Sequence, residues 1–326
     1  MPNAKRVIID CDPGIDDTAA LFMGLGSSEI QIEALTTVFG NSSLENCTLN
    51  ALRILEAADR ADIPVYRGVG KPLNYDEPFY APHVHGDDGI GNINAPLPTT
   101  KIQPNHAVLE IMDRVMKEPG ELSLMVLGRA TNVALAIMLE PRLAESMKEV
   151  IVMGGALRQP GNVSPVATAN IWGDPEAADL LYRSGANIAQ IGLDVCSQCE
   201  ISAEQQQQVW DTDTKASRFL EGMTKYIQQA YRESNRLEES GGVNYSDVPA
   251  MAYAIAPELF ELRDFHVRVE TKGSLTRGQT VADFRPRTTT RNPGLTPEES
   301  NVRVAMGVNA HGLTNLWTER VCSLGT

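Results

Sequence analysis

The chain has 326 residues, of which 42% are hydrophobic and 6% aromatic, enough to bury a sizeable core in one large α/β domain or two smaller ones. Asp and Glu outnumber Lys and Arg by 42 to 28, a formal net charge of −14, and no basic patch is dense enough to follow a phosphate backbone, which excludes nucleic acid as a partner. No apolar run reaches the roughly 18 residues of a membrane span and no apolar signal region precedes Val7; the five cysteines (Cys11, Cys47, Cys196, Cys199, Cys322) make no disulfide framework, so a reducing cytoplasm is expected.

Val7-Ile8-Ile9 runs straight into Asp10-Cys11-Asp12-Pro13-Gly14-Ile15-Asp16-Asp17, and an apolar helical pattern follows from Thr18 to Leu25. This reads as strand, tight turn, helix. Gly14 is expected to adopt a backbone conformation closed to most residues, crowding Asp12, Asp16 and Asp17 around the turn. Like charges at such distances stay ionised only with something positive among them; otherwise at least one pKa rises steeply. The positive end of the helix dipole contributes a fraction of a kcal/mol to about 1 kcal/mol, too little to hold the cluster alone, so a bound divalent cation is expected.

Strand-like and helical runs then alternate. The pattern predicts a strand over Ile32 to Val38 ending at Gly40-Asn41, a helix over Glu45 to Ala58 and a strand over Pro64 to Tyr66. The segment from Gly68 to Pro98 is rich in Pro, Gly and Asn and carries His83-Val84-His85-Gly86; a loop this long is usually functional. Helix Asn105 to Lys117, strand Leu122 to Leu127, helix Asn132 to Leu139 and strand Val150 to Met153 follow, the last stopping at Gly154-Gly155 before a polar loop to Asn170. Beyond Asp174 the pattern predicts helix Pro175 to Ser184, strand Asn187 to Ile191, a mostly helical stretch from Ala203 to Asn235, helix Pro249 to Ala256 capped by Asp247, and short strands at Phe265 to Thr271, Gln279 to Asp283 and Asn301 to Val308.

Such alternation predicts one domain over residues 1–326 with an α/β fold: an open, mostly parallel sheet with helices on both faces. Ligands of such sheets sit beyond the carboxyl ends of the strands, which singles out Asp12, Asn41, Leu127, Asn162 and Asn170 on one rim. An all-oxygen donor set favours Ca²⁺ or Mg²⁺ over zinc, and one acidic turn plus distant loops suits the looser shell of Ca²⁺. One carboxylate is then free to act as a base toward a water polarised by the cation. Asn41, Asn162 and Asn170 can each donate to and accept from sugar hydroxyls. Cys196-Ser197-Gln198-Cys199 has the spacing of half a zinc site, but no second pair accompanies it, so it reads as packing.

The acidic signature, with Thr36-Thr37-Val38-Phe39-Gly40-Asn41, His83-Val84-His85-Gly86, Val152-Met153-Gly154-Gly155, Asn170 before Asp174-Pro175-Glu176-Ala177-Ala178, and Thr280-Val281-Ala282-Asp283, resembles the calcium-dependent nucleoside hydrolases, the inosine-uridine nucleoside N-ribohydrolase family. The resemblance implies hydrolysis of the N-glycosidic bond of a ribonucleoside to ribose and free base. It implies a Ca²⁺ held by Asp12, Asp17, the main-chain carbonyl of Leu127, and Asp247, with Asp12 also the general base. Asp16 would bind the ribose 2′-hydroxyl, with Asn41, Asn162 and Asn170 facing the sugar, and His85 stands where the family's base-pocket loop carries a histidine. A homodimer or homotetramer is implied too. A ring of carboxylates would also stabilise an oxocarbenium-like transition state.

Two positions depart from the family pattern. Ser246 precedes Asp247 where the best-known members have a histidine that protonates the leaving base, and Thr168 stands where many have a Glu for the 5′ end of the ribose. Thr168 still offers a hydroxyl to the substrate. Tyr226, Tyr231 and Tyr245 are alternative proton donors or stacking groups. Two rival readings remain: a non-catalytic ribosyl-binding homologue, motivated by Ser246 and Thr168, and a Mg²⁺-dependent phosphatase with Asp10 as nucleophile. The extra anions Asp16 and Asp17 beside an incoming phosphate disfavour the phosphatase.

Overall fold

Strand β1 (Lys5–Cys11) places Val7, Ile9 and Cys11 in one hydrophobic cluster and Ile8 in another, and all are buried. Successive side chains point to opposite faces, so a strand apolar on both must lie inside a sheet covered twice. In the computed structural model, which describes residues 4–75, 77–233, 241–284 and 299–325, it does. With β2 (Ile30–Thr37), β3 (Val65–Arg67), β4 (Ser123–Val126), β5 (Glu149–Met153) and β6 (Ile188–Ile191), the sheet runs in the order β3-β2-β1-β4-β5-β6. Strand Val302–Val308 then pairs parallel with β6, and Phe260–Phe265 closes that edge antiparallel. This is the α/β fold with a mostly parallel sheet that the strand–helix alternation predicts.

The chain runs outward from β1 to β3 on one side and from β4 to β6 on the other, so the strand order reverses between β1 and β4. Diverging connections leave a crevice at the carboxyl ends of such a pair. Here the two strand ends meet directly: Asp10 is in register with Val126, and the Leu127 N–H donates to the Asp10 carbonyl at 2.8 Å. Helix α1 (Ile15–Leu25) leaves β1 at this point and packs in one cluster with helices Lys215–Glu233, Val248–Ile255 and Ala310–Cys322. Helices Ala107–Lys117, Thr131–Leu139 and Pro175–Tyr182 cover the opposite face. No helix among the described residues is long and apolar enough to cross a membrane.

The late part of the chain differs from expectation. The strand expected over Phe265 to Thr271 is two: Phe260–Phe265 at the sheet edge and Val267–Val269, which pairs with Thr280–Ala282. Helix Ala310–Cys322 was not anticipated, although Leu313, Trp317 and Val321 recur every four residues, all are buried, and the Asn309 side chain caps the first turn by accepting from Gly312 at 3.0 Å. Asn235, expected at the end of a helical stretch, lies outside the described residues.

Trp317 ties that last helix to α1. It is fully buried, and its Nε1–H donates to the Ala19 carbonyl at 3.1 Å. Trp317→Ala is expected to cost about 3–5 kcal/mol by cavity formation, read as a lower urea midpoint at unchanged slope. An unchanged midpoint would show that this helix does not support α1.

Candidate active site

The acidic turn is shaped by space more than by torsion. Gly14 has φ −114°, an extended conformation open to other residues, so the expectation of special backbone freedom there is corrected. A Cβ at Gly14 would instead lie 2.7 Å from both Asn41 Nδ2 and His85 Nδ1. Glycine therefore admits these two side chains against the turn. Asp17 folds back to accept from the Gly14 N–H at 3.0 Å, and Asp16 and Asp17 occupy the first turn of α1, where the helix dipole favours negative charge.

Around this turn the expected residues converge. Asp12 and Asp17 are fully buried, and above them one cavity is lined by Asp16, Asn41, His85 and Leu127. Asn162, Thr168 and Asn170 line its other wall, with Ser246 and Asp247. Asp16, Asp17 and Asp247 each bring a carboxylate oxygen within 4.8 Å of the others. Asp247 stands at the start of helix Val248–Ile255, but its side chain makes no capping bond, contrary to expectation; it faces Asp17 instead. One oxygen each of Asp12, Asp16 and Asp17 is buried with no hydrogen-bond partner among the described residues.

Several expected sugar contacts already have protein partners. The Asn41 side chain donates to Asp17 Oδ2 at 2.8 Å and to the Asp12 carbonyl at 3.2 Å. Asn170 Nδ2 donates to the Leu127 carbonyl and, at 3.2 Å, to the Met153 carbonyl. Exposed Asn162 accepts from the Ala169 N–H at 2.9 Å, and the Thr168 hydroxyl accepts from the Gly155 N–H at 2.9 Å. His85 Nδ1 accepts from the Ile15 N–H at 3.2 Å, which puts its proton on Nε2. Of the tyrosines, Tyr245 is buried with its hydroxyl on Thr224 and does not line the cavity; Tyr226 and Tyr231 line a separate pocket with His83 and Val84. Cys196 and Cys199 are both buried, their thiols on the Ile191 and Val195 carbonyls, as packing residues would be.

Two further residues organise the site. Arg129, fully buried, pairs with Asp12 Oδ2. Asn132 donates to Asp10 Oδ1 at 2.8 Å and to the Thr37 carbonyl at 3.0 Å, and Thr36 donates to the same Asp10 oxygen at 2.7 Å. Asp10 thus stitches β1, β2 and the helix after β4 together. The signal for Arg129 was present: it is a lone charge between a buried strand and an apolar helix in Leu127-Gly128-Arg129-Ala130-Thr131.

Burial raises the carboxyls. It pushes Asp10 up to about 7 against its Asn132 and Thr36 hydrogen bonds, and Asp16 and Asp17 up to about 6, the Asp16 charge adding to the effect on Asp17. Asp12 is raised well above the ordinary range by burial even with the Arg129 guanidinium beside it, and Asp247 by burial and the three neighbouring aspartates. His85 moves the other way, down to about 4, because burial disfavours the imidazolium, so it is neutral at pH 7.

A family model described as inosine-uridine preferring nucleoside hydrolase matches residues 7–315. The chain is 38% identical over 283 residues to an inosine-uridine preferring nucleoside hydrolase of Leishmania major, spanning 86% of this chain and 88% of that one. It is 37% identical over 279 residues to uridine nucleosidase 1 of Arabidopsis thaliana, spanning 86% and 82%. Among solved structures, a plant nucleoside hydrolase superposes with a TM-score of 0.91 at 33% identity over 99% of both chains. A purine-preferring ribonucleoside hydrolase from Gardnerella vaginalis does so with a TM-score of 0.89 at 33% identity, over 98% of this chain and 99% of that one. With this fold and this cavity, the chain belongs to the inosine-uridine preferring nucleoside hydrolase family and is an N-glycosyl hydrolase that splits ribonucleosides into ribose and free base.

Proposed function

We propose that the chain performs this hydrolysis with a Ca²⁺ ion held by Asp12, Asp17, the Leu127 carbonyl and Asp247, and with Asp12 as general base. The observation that carries this is the carboxylate cluster itself: Asp16, Asp17 and Asp247 offer oxygens within 4.8 Å of one another, Asp12 is buried beside them, and one buried oxygen each of Asp12, Asp16 and Asp17 has no donor among the described residues. The donor set is all oxygen, and ligand oxygens around an ion with about 2.3–2.6 Å bonds have such mutual separations. The Asp16, Asp17 and Asp247 oxygens therefore suit a hard dication, and the family resemblance adds Asp12 and the Leu127 carbonyl to the set. The Leu127 carbonyl keeps a second lone pair beside the one taken by Asn170.

When bound, such an ion supplies Lewis-acid polarisation of a water and orients pentose hydroxyls. The chain's own residues do the rest. Asp12, fixed through Oδ2, offers Oδ1 as the proton acceptor. Asp16 stands at the cavity wall to accept from a ribose hydroxyl, and Asn41, Asn162, Thr168 and Asn170 surround the rest of the sugar. The negative cluster favours positive charge developing on the ring. His85, neutral, offers Nε2–H on the same wall. Ser246 takes the place of a leaving-group acid but is too weak an acid to protonate a base at neutral pH, so departure of the base relies on another proton source.

Asp12→Ala would leave the Arg129 guanidinium buried without its partner, and the strain on the fold would obscure the chemistry. Asp12→Asn is the cleaner test. It is expected to lower kcat for uridine and inosine by at least about 10³-fold, a loss of about 4 kcal/mol of transition-state stabilisation, with circular dichroism unchanged. A near-parental rate would remove Asp12 from the mechanism. Chelator is expected to abolish release of reducing sugar from both nucleosides and added Ca²⁺ to restore it; full activity in chelator would exclude the metal.

The raised carboxyls give a pH dependence. Between an unfolded value near 3.8 and about 6 for Asp16 and Asp17, or about 7 for Asp10, the folded chain holds protons that the unfolded chain has released, so their stabilising contribution is present at low pH and lost as pH rises. His85 works in the opposite direction between 6.5 and about 4, but it is one group against three. A dication held by Asp17 must displace its proton below about pH 6. The gain in melting temperature on adding Ca²⁺ to chelator-treated protein is therefore expected to be larger at pH 7.5 than at pH 5. A gain independent of pH would separate this carboxyl from the ion.

A further inference from the structure

In the chemistry proposed above Arg129 appears only as a contact of Asp12. It is fully buried, and of its guanidinium nitrogens Nη1 meets Asp12 Oδ2 and lies 3.5 Å from Asn170 Oδ1. Nε and Nη2 are buried with no hydrogen-bond partner among the described residues. A guanidinium held this way is costly, since the desolvation of its donors is not repaid by bonds. The chain nevertheless leaves room for it. A Cβ at Gly173 would lie 2.6 Å from Arg129 Nε, and one at Gly40 would overlap both Arg129 Nη1 and the Asp12 carboxylate.

The effect is on Asp12. Its Oδ2 accepts from the Asn41 N–H at 2.8 Å and from Arg129 Nη1, while Oδ1 accepts from nothing among the described residues. Two donors fixed to main chain and core hold one oxygen and leave the other free. A carboxylate so fixed cannot rotate to grip an ion through both oxygens. The same contact also puts one permanent positive charge against a group of aspartates.

We propose that Arg129 is a positioning residue and an internal counter-charge: it fixes Asp12 through Oδ2 so that only Oδ1 is left without a donor among the described residues, and it keeps the site's affinity for a dication below that of the same aspartates without it. Lysine would carry the charge but not the planar fork, which separates the two effects. The second half rests on the Ca²⁺ reading given above, and the first half on Asp12 as the general base of that same reading.

The test compares parent, Arg129→Met and Arg129→Lys by calorimetric titration with CaCl2 and by kcat and KM for uridine and inosine, with melting temperature as the measure of folding. Arg129→Met is expected to bind Ca²⁺ at least tenfold more tightly and to lose at least tenfold in kcat, with KM within threefold of the parent. Arg129→Lys is expected to keep the Kd for Ca²⁺ within threefold and still lose kcat. A Met variant with an unchanged or weaker Kd overturns the counter-charge, and one with kcat within twofold of the parent overturns the positioning role. Should the Met variant not fold, the Lys variant decides, and a kcat within twofold of the parent overturns the proposal. A parent that binds no Ca²⁺ overturns the metal reading and the counter-charge together, and the kcat-against-KM split alone then decides the positioning of Asp12.

Discussion

The structure is organised around a repulsion. Asp16, Asp17 and Asp247 bring carboxylate oxygens within 4.8 Å of one another, with Asp12 buried beside them. At that distance two full charges repel by about 3.5 kcal/mol or more even at an effective dielectric of 20. Three such pairs reach about 10 kcal/mol, comparable to the whole stability of a typical domain. The fold can hold this arrangement only by neutralising part of it. Protons, the Arg129 guanidinium and a hard cation are the three available means, and they compete: each proton lost as pH rises raises the demand for the other two.

What keeps the carboxylates from moving apart is the sheet. β1 is locked on both sides by parallel partners, and Asp10 carries the lock to the end of the strand through Thr36 and Asn132. The turn then has no slack, because Gly14 is pressed against Asn41 and His85, and α1 starts at once. Helix α1 is in turn held from behind by Trp317. The charged turn is thus clamped between a strand that cannot slide and a helix that cannot retreat. Preorganisation of this kind places the fixed charges before a substrate arrives, so no reorganisation is needed when charge develops on the sugar.

The parts legible in the sequence were those set by short-range pattern. The alternation of strand and helix, the breaks at Gly40-Asn41 and Gly154-Gly155, and the two-sided burial of Val7, Ile8 and Ile9 follow from periodicity, and they suffice for the sheet and for its rim. Long-range facts were less visible. The pairing of Phe260–Phe265 with Val302–Val308 joins segments far apart in the chain, and the FELRDF pattern of that edge strand is largely exposed and does not advertise itself. The purpose of Gly14 was misread for a related reason: the sequence displays a glycine's freedom of torsion but not the two side chains, Asn41 and His85, that need the space. Arg129 is the sharpest case. A charge within an apolar stretch signals that something must compensate it, but only the folded chain shows that the compensation is Asp12.

The residues around the cavity come from two different parts of this fold. Groups at the cavity come from the rim of the sheet: Asp16 from the first turn of α1, Asn41 and Leu127 from just after β2 and β4, and Asn170 from the segment after β5, with Asn41 and Asn170 tied to main chain. Ser246 and the His83, Tyr226 and Tyr231 group come from loops and helices outside that rim. Proteins similar to this chain over most of their length are named for uridine, for inosine and uridine, and for purine nucleosides, and two of the solved structures superpose on it almost throughout. A sheet that stays constant while the named base preference varies does not set that preference. On the function proposed above, the buried acids would serve what all these substrates share, the pentose and its developing charge, and discrimination between bases would fall to side chains that the central strands do not hold.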